Sequence, residues 1–166
     1  MNPHGVIITT LALHPIGIIR TPFKEAVGTP IQPVYGEGVE GEVLLDESLE
    51  RALADIDGFE RLWLLYWMDR AGPFQPGVVP YRDTCERGLF ATRAPCRPNP
   101  IGMSVVRLLS REGSRLRVAD LDILDGTPLL DVKPYVPIFD ARAGSRAGWF
   151  DGSAEDRQNA DDRFHR

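Results

Sequence analysis

The 166-residue sequence contains few residues that hold metals or form disulfides. Its only cysteines are Cys85 and Cys96, which form no Cys-x-x-Cys pair, and its 3 histidines are scattered along the chain. Structural zinc sites need clustered cysteine and histidine ligands, so we expect no metal. A disulfide between the two cysteines is open to the chain, but it would be unusual in a reducing compartment.

Long apolar runs are also missing. No stretch approaches the roughly 20 residues of a membrane-spanning helix. The N-terminal run GVIITTLAL has neither the basic start nor the small-residue cleavage site of a signal peptide. The net charge of −5 argues against broad non-specific nucleic-acid binding but permits a local basic patch. These features predict one soluble, cytoplasmic domain with no membrane partner.

One glycine motif is present without the context that it needs. Gly36, Gly38 and Gly41 match the spacing G-x-G-x-x-G of dinucleotide-binding loops. That use requires a strand before the motif and a helix beginning at its end. Here a Pro/Gly-rich loop precedes the motif and an alternating, strand-like segment follows it. We therefore expect no dinucleotide site.

The apolar pattern of the chain predicts strands far more often than helices. Asp46 is expected to cap a helix over 47–55, whereas 59–68 is expected to be a strand buried on both faces. Strands are also predicted over 5–20, 88–93, 103–110, 116–124 and 129–138, the last at a sheet edge because it carries Pro134 and Pro137. The fold class is mainly β: an antiparallel sheet closed into a small β-barrel with one or two attached helices. Residues 1–150 form this domain and 151–166 a polar, frayed C-terminal tail.

The segment Phe90–Met103, FATRAPCRPNPIGM, combines arginines with a proline-stiffened backbone. Pro98 and Pro100 each fix φ at about −65° and push the preceding residue out of the helical region. Asn99 is therefore held extended between them, with its amide in a nearly fixed direction. This stiffness suits the placement of a polar group against a ligand, and a structural turn is the alternative.

Four segments together resemble a known family: IGIIRTPFKE, IDGFERLWLLYW, GLFATRAPCRPNPIGMS and LDILDGTPLLDVKPYVP, which span about residues 16–139. The chain is similar to the TsaA-like family of β-barrel S-adenosylmethionine-dependent methyltransferases. The best-known members methylate N6 of the threonylcarbamoyl-modified adenosine next to the tRNA anticodon. The resemblance implies S-adenosylmethionine as cofactor, tRNA as substrate, and a homodimer with the cofactor near the dimer interface.

The resemblance also implies which residues contact the cofactor: Gln32, Pro33, Val34, Asp69, Arg70, Arg93, Met103, Asp125, Gly126, Thr127 and Pro128. Among these, the Arg93 guanidinium is suited to pairing with a carboxylate. The methyl acceptor needs a hydrogen-bond acceptor or a base, and the candidates are Asn99, Asp131 and Tyr135. For Asp131 and Lys133, a solvated strand pair is the alternative interpretation.

Two departures from the family bear on the substrate. Bacterial tRNA-modifying members often carry His-Gln at the positions of Asp69 and Arg70, and they have an additional C-terminal domain. A small molecule or another non-tRNA acceptor is therefore the alternative substrate, and a module that binds S-adenosylmethionine without turnover is the third hypothesis. Arginines between 82 and 117 could contact tRNA phosphates, although interleaved acidic residues fit a plain mixed surface nearly as well.

Overall fold

The computed structural model describes residues 10–165. Eight strands are formed: β1 Gly17–Arg20, β2 Glu40–Leu45, β3 Arg61–Trp67, β4 Gly77–Val78, β5 Arg87–Gly88, β6 Ile101–Glu112, β7 Arg115–Ala119 and β8 Thr127–Pro134. Six of them close into an antiparallel barrel in the order β1-β2-β7-β6-β3-β8, and β8 pairs back onto β1. Strands β4 and β5 form a separate two-stranded sheet. The predicted β-barrel is confirmed.

Strand β3 shows how the barrel separates its inner and outer faces. Leu62, Leu64 and Tyr66 are buried inside, whereas the alternate residues Trp63 and Leu65 keep part of their surface exposed on the outer wall. The prediction that 59–68 is buried on both faces is wrong, because this part of the chain has no second layer outside the strand. Successive side chains on a strand point to opposite faces, so an apolar run on a barrel leaves half its members outside.

Strand β8 corrects the interpretation of the C-terminal prolines. It pairs with both β1 and β3, so the prediction of a sheet edge is wrong. Pro134 is the last residue of β8, and Pro137 begins the short helix α1, Pro137–Asp140. Both are positions where a missing N–H costs little, because neither a strand end nor a first helical residue needs that donor.

Three local predictions are modified. The helix expected over 47–55 is a 3-10 helix, Glu47–Leu53, which Asp46 does cap by accepting a 2.9 Å hydrogen bond from the Ser48 N–H. The strand expected over 88–93 is wrong, since a 3-10 helix, Leu89–Ala91, follows β5. The strand expected over 116–124 ends at Ala119, because Asp120 adopts a left-handed φ of 68° and turns the chain across the barrel end.

The C-terminal segment packs against the loops instead of fraying. Phe164 is 4% exposed and joins a second, smaller apolar cluster with Leu89 and Cys96. Isolated bridges pair Pro30 with Asn159 and Ala71 with His165. The expectation of a frayed tail is therefore wrong, since one buried aromatic side chain anchors an otherwise polar segment.

The two cysteines do not form a disulfide: Cys96 is buried and Cys85 exposed, and both are free thiols. Within 10–165 no helix has the length and apolar character needed to cross a membrane.

The antiparallel topology gathers three long connections at one end of the barrel. Strands β1, β3 and β7 all finish at this end, and β2, β6 and β8 begin there. The connections 21–39, 68–100 and 120–126 therefore meet, and they contain most of the residues that the sequence marks as functional. We call this end the loop end of the barrel.

Candidate cofactor and acceptor site

Arg70 ties two of the three loop-end connections together. Its Nη2 donates to the Asp125 carbonyl at 2.9 Å and to Thr127 Oγ1 at 3.2 Å. The residues that follow β3 are thereby linked to the Asp-Gly-Thr-Pro segment, residues 125–128, which leads into β8. Among residues 10–165, the buried Nε of Arg70 has no hydrogen-bond partner, although the Asp69 carboxylate lies 3.6 Å from it as an ion pair. A buried guanidinium N–H without an acceptor is costly, so this donor is well suited to a ligand oxygen.

Arg93 and Gln32 come together across the loop end. The Arg93 Nη1 donates to Gln32 Oε1 at 2.5 Å, and Arg93 is exposed. Gln32 immediately precedes a 3-10 helix, Pro33–Tyr35, on which Val34 is 72% exposed. An exposed guanidinium beside an exposed apolar side chain can bind a molecule that has a carboxylate and an apolar or aromatic body.

The Asp125 carboxylate holds the chain in shape. It accepts a 3.0 Å hydrogen bond from the Thr21 N–H and lies 2.7 Å from Lys24 Nζ and 3.6 Å from Arg20 Nη1. The hydrogen bond from Lys24 is the main reason that the pKa of Asp125 is lowered from 3.8. The Asp125 carboxylate thus holds the start of the connection 21–39, while the backbone carbonyl of Asp125 accepts the hydrogen bond from Arg70. A groove of about 380 Å³ borders the carboxylate on this side, and its other lining residues are Arg20, Thr21, Lys24, Glu40, Gly41 and Glu42.

Replacing Asp125 with alanine should destabilise the protein by about 1–3 kcal/mol at pH 7, since a charged hydrogen bond to a backbone donor is lost. Both cationic partners are more than half exposed, so their share is small. A lowered pKa stabilises the folded state above 3.8, and this contribution disappears as the pH falls through the folded value. Urea unfolding should therefore show the variant converging with the wild type in acid. Asp57→Ala, at the opposite barrel end, should change stability by less than about 0.5 kcal/mol.

The proline-stiffened segment is held in shape by hydrogen bonds from Arg97 to backbone carbonyls of the same segment. Arg97 Nη1 donates to the carbonyls of Thr92 at 3.0 Å and Ala94 at 3.4 Å, so this arginine shapes the loop. Asn99 is exposed, and its backbone carbonyl accepts the Ile101 N–H at 2.8 Å. The side-chain amide of Asn99 therefore stands on a fixed backbone.

Three predicted site residues lie on the outer wall of the barrel. Met103 and Asp131 flank Leu65 from the two neighbouring strands, and Met103 is 49% exposed. Asp131 lies 2.7 Å from Lys133 Nζ, as the interpretation of a strand ion pair expects. The ring of Tyr135 packs 6.0 Å from that of Trp63. The predicted site residues thus form a loop-end group and an outer-wall group, and the catalytic roles of Asn99, Asp131 and Tyr135 stay predictions.

A buried polar network at the loop end was not predicted from the sequence. Ser104 Oγ donates to Asp122 Oδ1 at 2.6 Å and lies 3.0 Å from the Tyr66 hydroxyl. Burial raises the pKa of Asp122 from 3.8 to about 7 and raises that of Tyr66 above its usual range. The available signal was one acid between the apolar residues Leu121 and Ile123, which are both buried.

The arginine-rich surface is largely neutralised by ion pairs. Arg107 lies 3.6 Å from Asp120, and Arg61 lies 3.0 Å from the same carboxylate. Other pairs join Arg87 to Asp83, Arg115 to Glu42 and Arg117 to Glu40. This wall of the barrel is a mixed surface, as the alternative interpretation expects. Within the described part of the chain, no three His, Cys, Asp or Glu side chains are grouped so as to hold a metal ion.

Known proteins are similar to this chain in both sequence and fold. Residues 18–141 match the family described as the tRNA-methyltransferase O N-terminal domain. A probable S-adenosyl-L-methionine-binding protein of Pyrococcus abyssi is 47% identical over 152 residues, which cover 92% of this chain and 83% of that protein. The tRNA (adenine(37)-N6)-methyltransferase of Escherichia coli is 36% identical over 144 residues, which cover 81% and 61%. The crystal structure of TrmO from Pseudomonas aeruginosa matches with a TM-score of 0.72 at 39% identity, covering 84% of this chain and 62% of that one.

The closed barrel and these matches place the chain in the class of β-barrel methyltransferases that use S-adenosylmethionine. Within that class, it belongs to the tRNA-methyltransferase O N-terminal domain family. The resemblance seen in the four sequence segments is confirmed. The chain spans less than two thirds of the Escherichia coli relative and of the Pseudomonas aeruginosa structure.

Proposed function

We propose that the protein transfers the methyl group of S-adenosylmethionine to N6 of the threonylcarbamoyl-modified adenosine next to the tRNA anticodon, in the cytoplasm. The observation that carries this proposal is the match of residues 18–141 to a tRNA-methyltransferase domain, together with the meeting of the motif-bearing loops at one barrel end. The name of the Escherichia coli relative supports the same substrate.

The loop end offers groups that fit the parts of the cofactor. We assign Arg93, with Gln32 beside it, to the carboxylate of the cofactor, and the unpartnered Nε of Arg70 to a further oxygen. Asp69 lies 3.6 Å from Arg70 Nε, and because its side chain is 42% exposed we assign its outward-facing oxygen to an ammonium. When bound, S-adenosylmethionine supplies a methyl group activated by a sulfonium.

The chain contributes alignment more than reactivity. Hydrogen bonds from Arg70 and the prolines around Asn99 fix two sides of the loop end before any ligand arrives. Holding two reactants in line can lower a barrier by roughly 7–11 kcal/mol. We propose that the Asn99 amide orients the acceptor nitrogen from this rigid segment.

We also propose that the protein is a homodimer that uses the outer wall of β3 and β6. Ile101 and Met103 are 41% and 49% exposed there, although their strand pairs with the aromatic strand β3. Exposed apolar side chains on one strand, beside the half-buried outer residues Leu65 and Trp67 of β3, are typical of a surface that another subunit covers. In such a dimer, Met103 would lie in the interface.

The test is methyl transfer by the purified protein to tRNA that carries the threonylcarbamoyl group. With labelled S-adenosylmethionine, we expect label in one nucleoside that is heavier by a single methyl group, identified by mass spectrometry. The matched control is the same tRNA transcribed without modification, which should accept little label. Binding of the modified tRNA should weaken as salt rises, because phosphate contacts release counterions.

Two results would contradict the proposal. If tRNA stays unlabelled while small molecules of a cell extract are methylated, the acceptor is a non-tRNA compound. If S-adenosylmethionine binds but no extract component accepts its methyl group, the protein is a binding module without turnover.

A further inference from the structure

Asp122 is a carboxyl group placed where the barrel otherwise buries apolar side chains. Its neighbours Leu121 and Ile123 are 0% and 2% exposed, whereas Asp122 keeps part of its surface accessible. Within residues 10–165, Ser104 is the one other residue that donates a hydrogen bond to this carboxyl group, to Oδ1 at 2.6 Å. Apart from its own backbone N–H, the carboxyl group thus has one donor in the described part of the chain, and its remaining lone pairs can accept from a group outside the chain.

The hydrogen bonds that reach Asp122 have a fixed direction. An ionised carboxylate only accepts, so Ser104 must donate to it, and the Ser104 oxygen is then free to accept from the Tyr66 hydroxyl 3.0 Å away. Burial raises the pKa of Tyr66 above its usual range, so the phenol keeps its proton. The chain Tyr66–Ser104–Asp122 orients the carboxylate and stabilises its negative charge.

This network touches the segments that carry the proposed cofactor contacts. Ser104 follows Met103 in β6, and the Tyr66 ring packs against Gly102, the glycine of the Pro-Ile-Gly-Met run. Asp122 lies three residues before Asp125, whose carbonyl binds Arg70. An ionisable group that is bonded to β6 at the loop end and lies within range of the Arg93 charge is placed for chemistry more than for packing.

We propose that Asp122 accepts the proton that the acceptor nitrogen loses when it is methylated, an inference that rests on the proposed function. The N–H bond of the acceptor breaks and its proton passes to the Asp122 carboxylate, while the nitrogen electron pair forms the bond to the methyl carbon. The carbon–sulfur bond breaks with its electron pair left on sulfur, so the sulfonium cation becomes a neutral thioether. Protonated Asp122 then releases the proton to water.

The surroundings of Asp122 suit a base that works near neutral pH. Burial raises its pKa to about 7, while the hydrogen bond from Ser104 and the charge of Arg93 act in the opposite direction. A carboxyl of ordinary pKa is a weaker base, and general bases work best when their pKa lies near the working pH. Asp131, the base candidate on the outer wall, is instead paired with Lys133.

The test compares wild-type protein with Asp122→Asn and Ser104→Ala. Asp122→Asn should lower kcat for tRNA methylation by about 100-fold or more, with the Kd of S-adenosylmethionine within about twofold of wild type. Asp46→Asn, a matched exchange at the opposite barrel end, should leave kcat unchanged.

Ser104→Ala removes the hydrogen-bond donor that stabilises the Asp122 carboxylate. In a plot of kcat against pH, the fall in kcat on the acid side should therefore move to higher pH. If Ser104 had only a structural role, its replacement would change the stability of the protein but not the pH at which kcat falls in acid.

Two readouts need no methyl acceptor. In the free protein, the Asp122 carboxyl carbon should titrate by NMR with a midpoint near 7, and Ser104→Ala should raise that midpoint. A raised carboxyl pKa means that stability falls as the pH rises from 3.8 towards 7, since the folded state binds the proton more tightly. Asp122→Asn should therefore unfold at a higher urea concentration than wild type at pH 8.

The outcomes separate the inference from the proposed function. If wild type and Asp122→Asn methylate tRNA at similar rates, or if Asp122 titrates below pH 5, the role of Asp122 is overturned and the proposed function stands. If Asp131→Asn removes the acid limb and Asp122→Asn does not, the base is on the outer wall. If wild type transfers no methyl group to tRNA, the proposed function fails and this inference fails with it.

Discussion

Gly102→Ala is expected to destabilise the protein by about 3 kcal/mol and to abolish methyl transfer. Gly102 faces into the barrel directly opposite Tyr66, and an added Cβ would lie 2.2 Å from Cε2 of that ring. The ring has no room to withdraw, because it is 8% exposed and its hydroxyl is held at Ser104. The side chain or the strand must move, and either movement displaces the network that ends at Asp122. Urea unfolding and the tRNA methylation assay measure the two effects.

Gly88→Ala is the matched control, because no heavy atom lies within 4 Å of its added Cβ. Its φ of −55° suits alanine, so the stability change should stay within about 0.5 kcal/mol. A second variant locates the clash. Combining Gly102→Ala with Tyr66→Leu should cost less than the sum of the two single changes, because the leucine removes the colliding ring atoms. Equal stability of Gly102→Ala and wild type would show that Tyr66 does not occupy this position.

Arg70→Met is expected to weaken the binding of S-adenosylmethionine by about 10- to 100-fold. The guanidinium gives hydrogen bonds to the Asp125 carbonyl and Thr127 Oγ1, and its buried Nε is the donor that we assign to the ligand. Hydrogen bonds from a charged group contribute roughly 1.5–3 kcal/mol, and about 1.4 kcal/mol corresponds to tenfold in Kd. Methionine preserves most of the apolar stem, so the effect isolates the lost donors. Isothermal titration calorimetry gives the Kd directly.

The control for this change is Arg117→Met on the barrel wall. Arg117 pairs with Glu40 at 2.9 Å, and both side chains are 57% exposed, so its removal should cost at most about 1 kcal/mol of stability. Its S-adenosylmethionine affinity should match that of wild type. If Arg70→Met also binds the cofactor with unchanged Kd, the cofactor does not use the side of the loop end that Arg70 holds.

Local patterns in the sequence were sufficient to predict an element of the fold where a residue type has a single structural use. The strand in β6 and the Asp46 cap were both predictable. Gly41 of the glycine motif lies in β2, as the strand-like pattern that follows the motif predicts. There an added Cβ would lie 2.2 Å from the Arg20 carbonyl. That glycine is needed because strands β1 and β2 approach closely there.

The same patterns gave wrong predictions wherever contacts with a distant segment decide the burial or the pairing of a residue. An apolar run such as β3 has the same composition whether one or both of its faces are covered. The C-terminal segment reads as polar, and only the cluster around Phe164 shows that it is anchored. Prolines indicate positions without a donor, but they do not distinguish a sheet edge from a strand end, and β8 uses the second.

By itself, the sequence determined the closed sheet, because strand periodicity is a local property of the chain. The class of the protein and most residues of the loop end were indicated by the resemblance of four sequence segments to a known family. Only the tertiary structure decided that connections far apart in the sequence meet at one end of the barrel. It also separated Met103 and Asp131 from Arg70 and Arg93, and it placed Asp122 beside Ser104 and Tyr66. The physical reason is that burial and proximity raise or lower a pKa and pair a donor with an acceptor, and both depend on neighbours that the linear sequence does not specify.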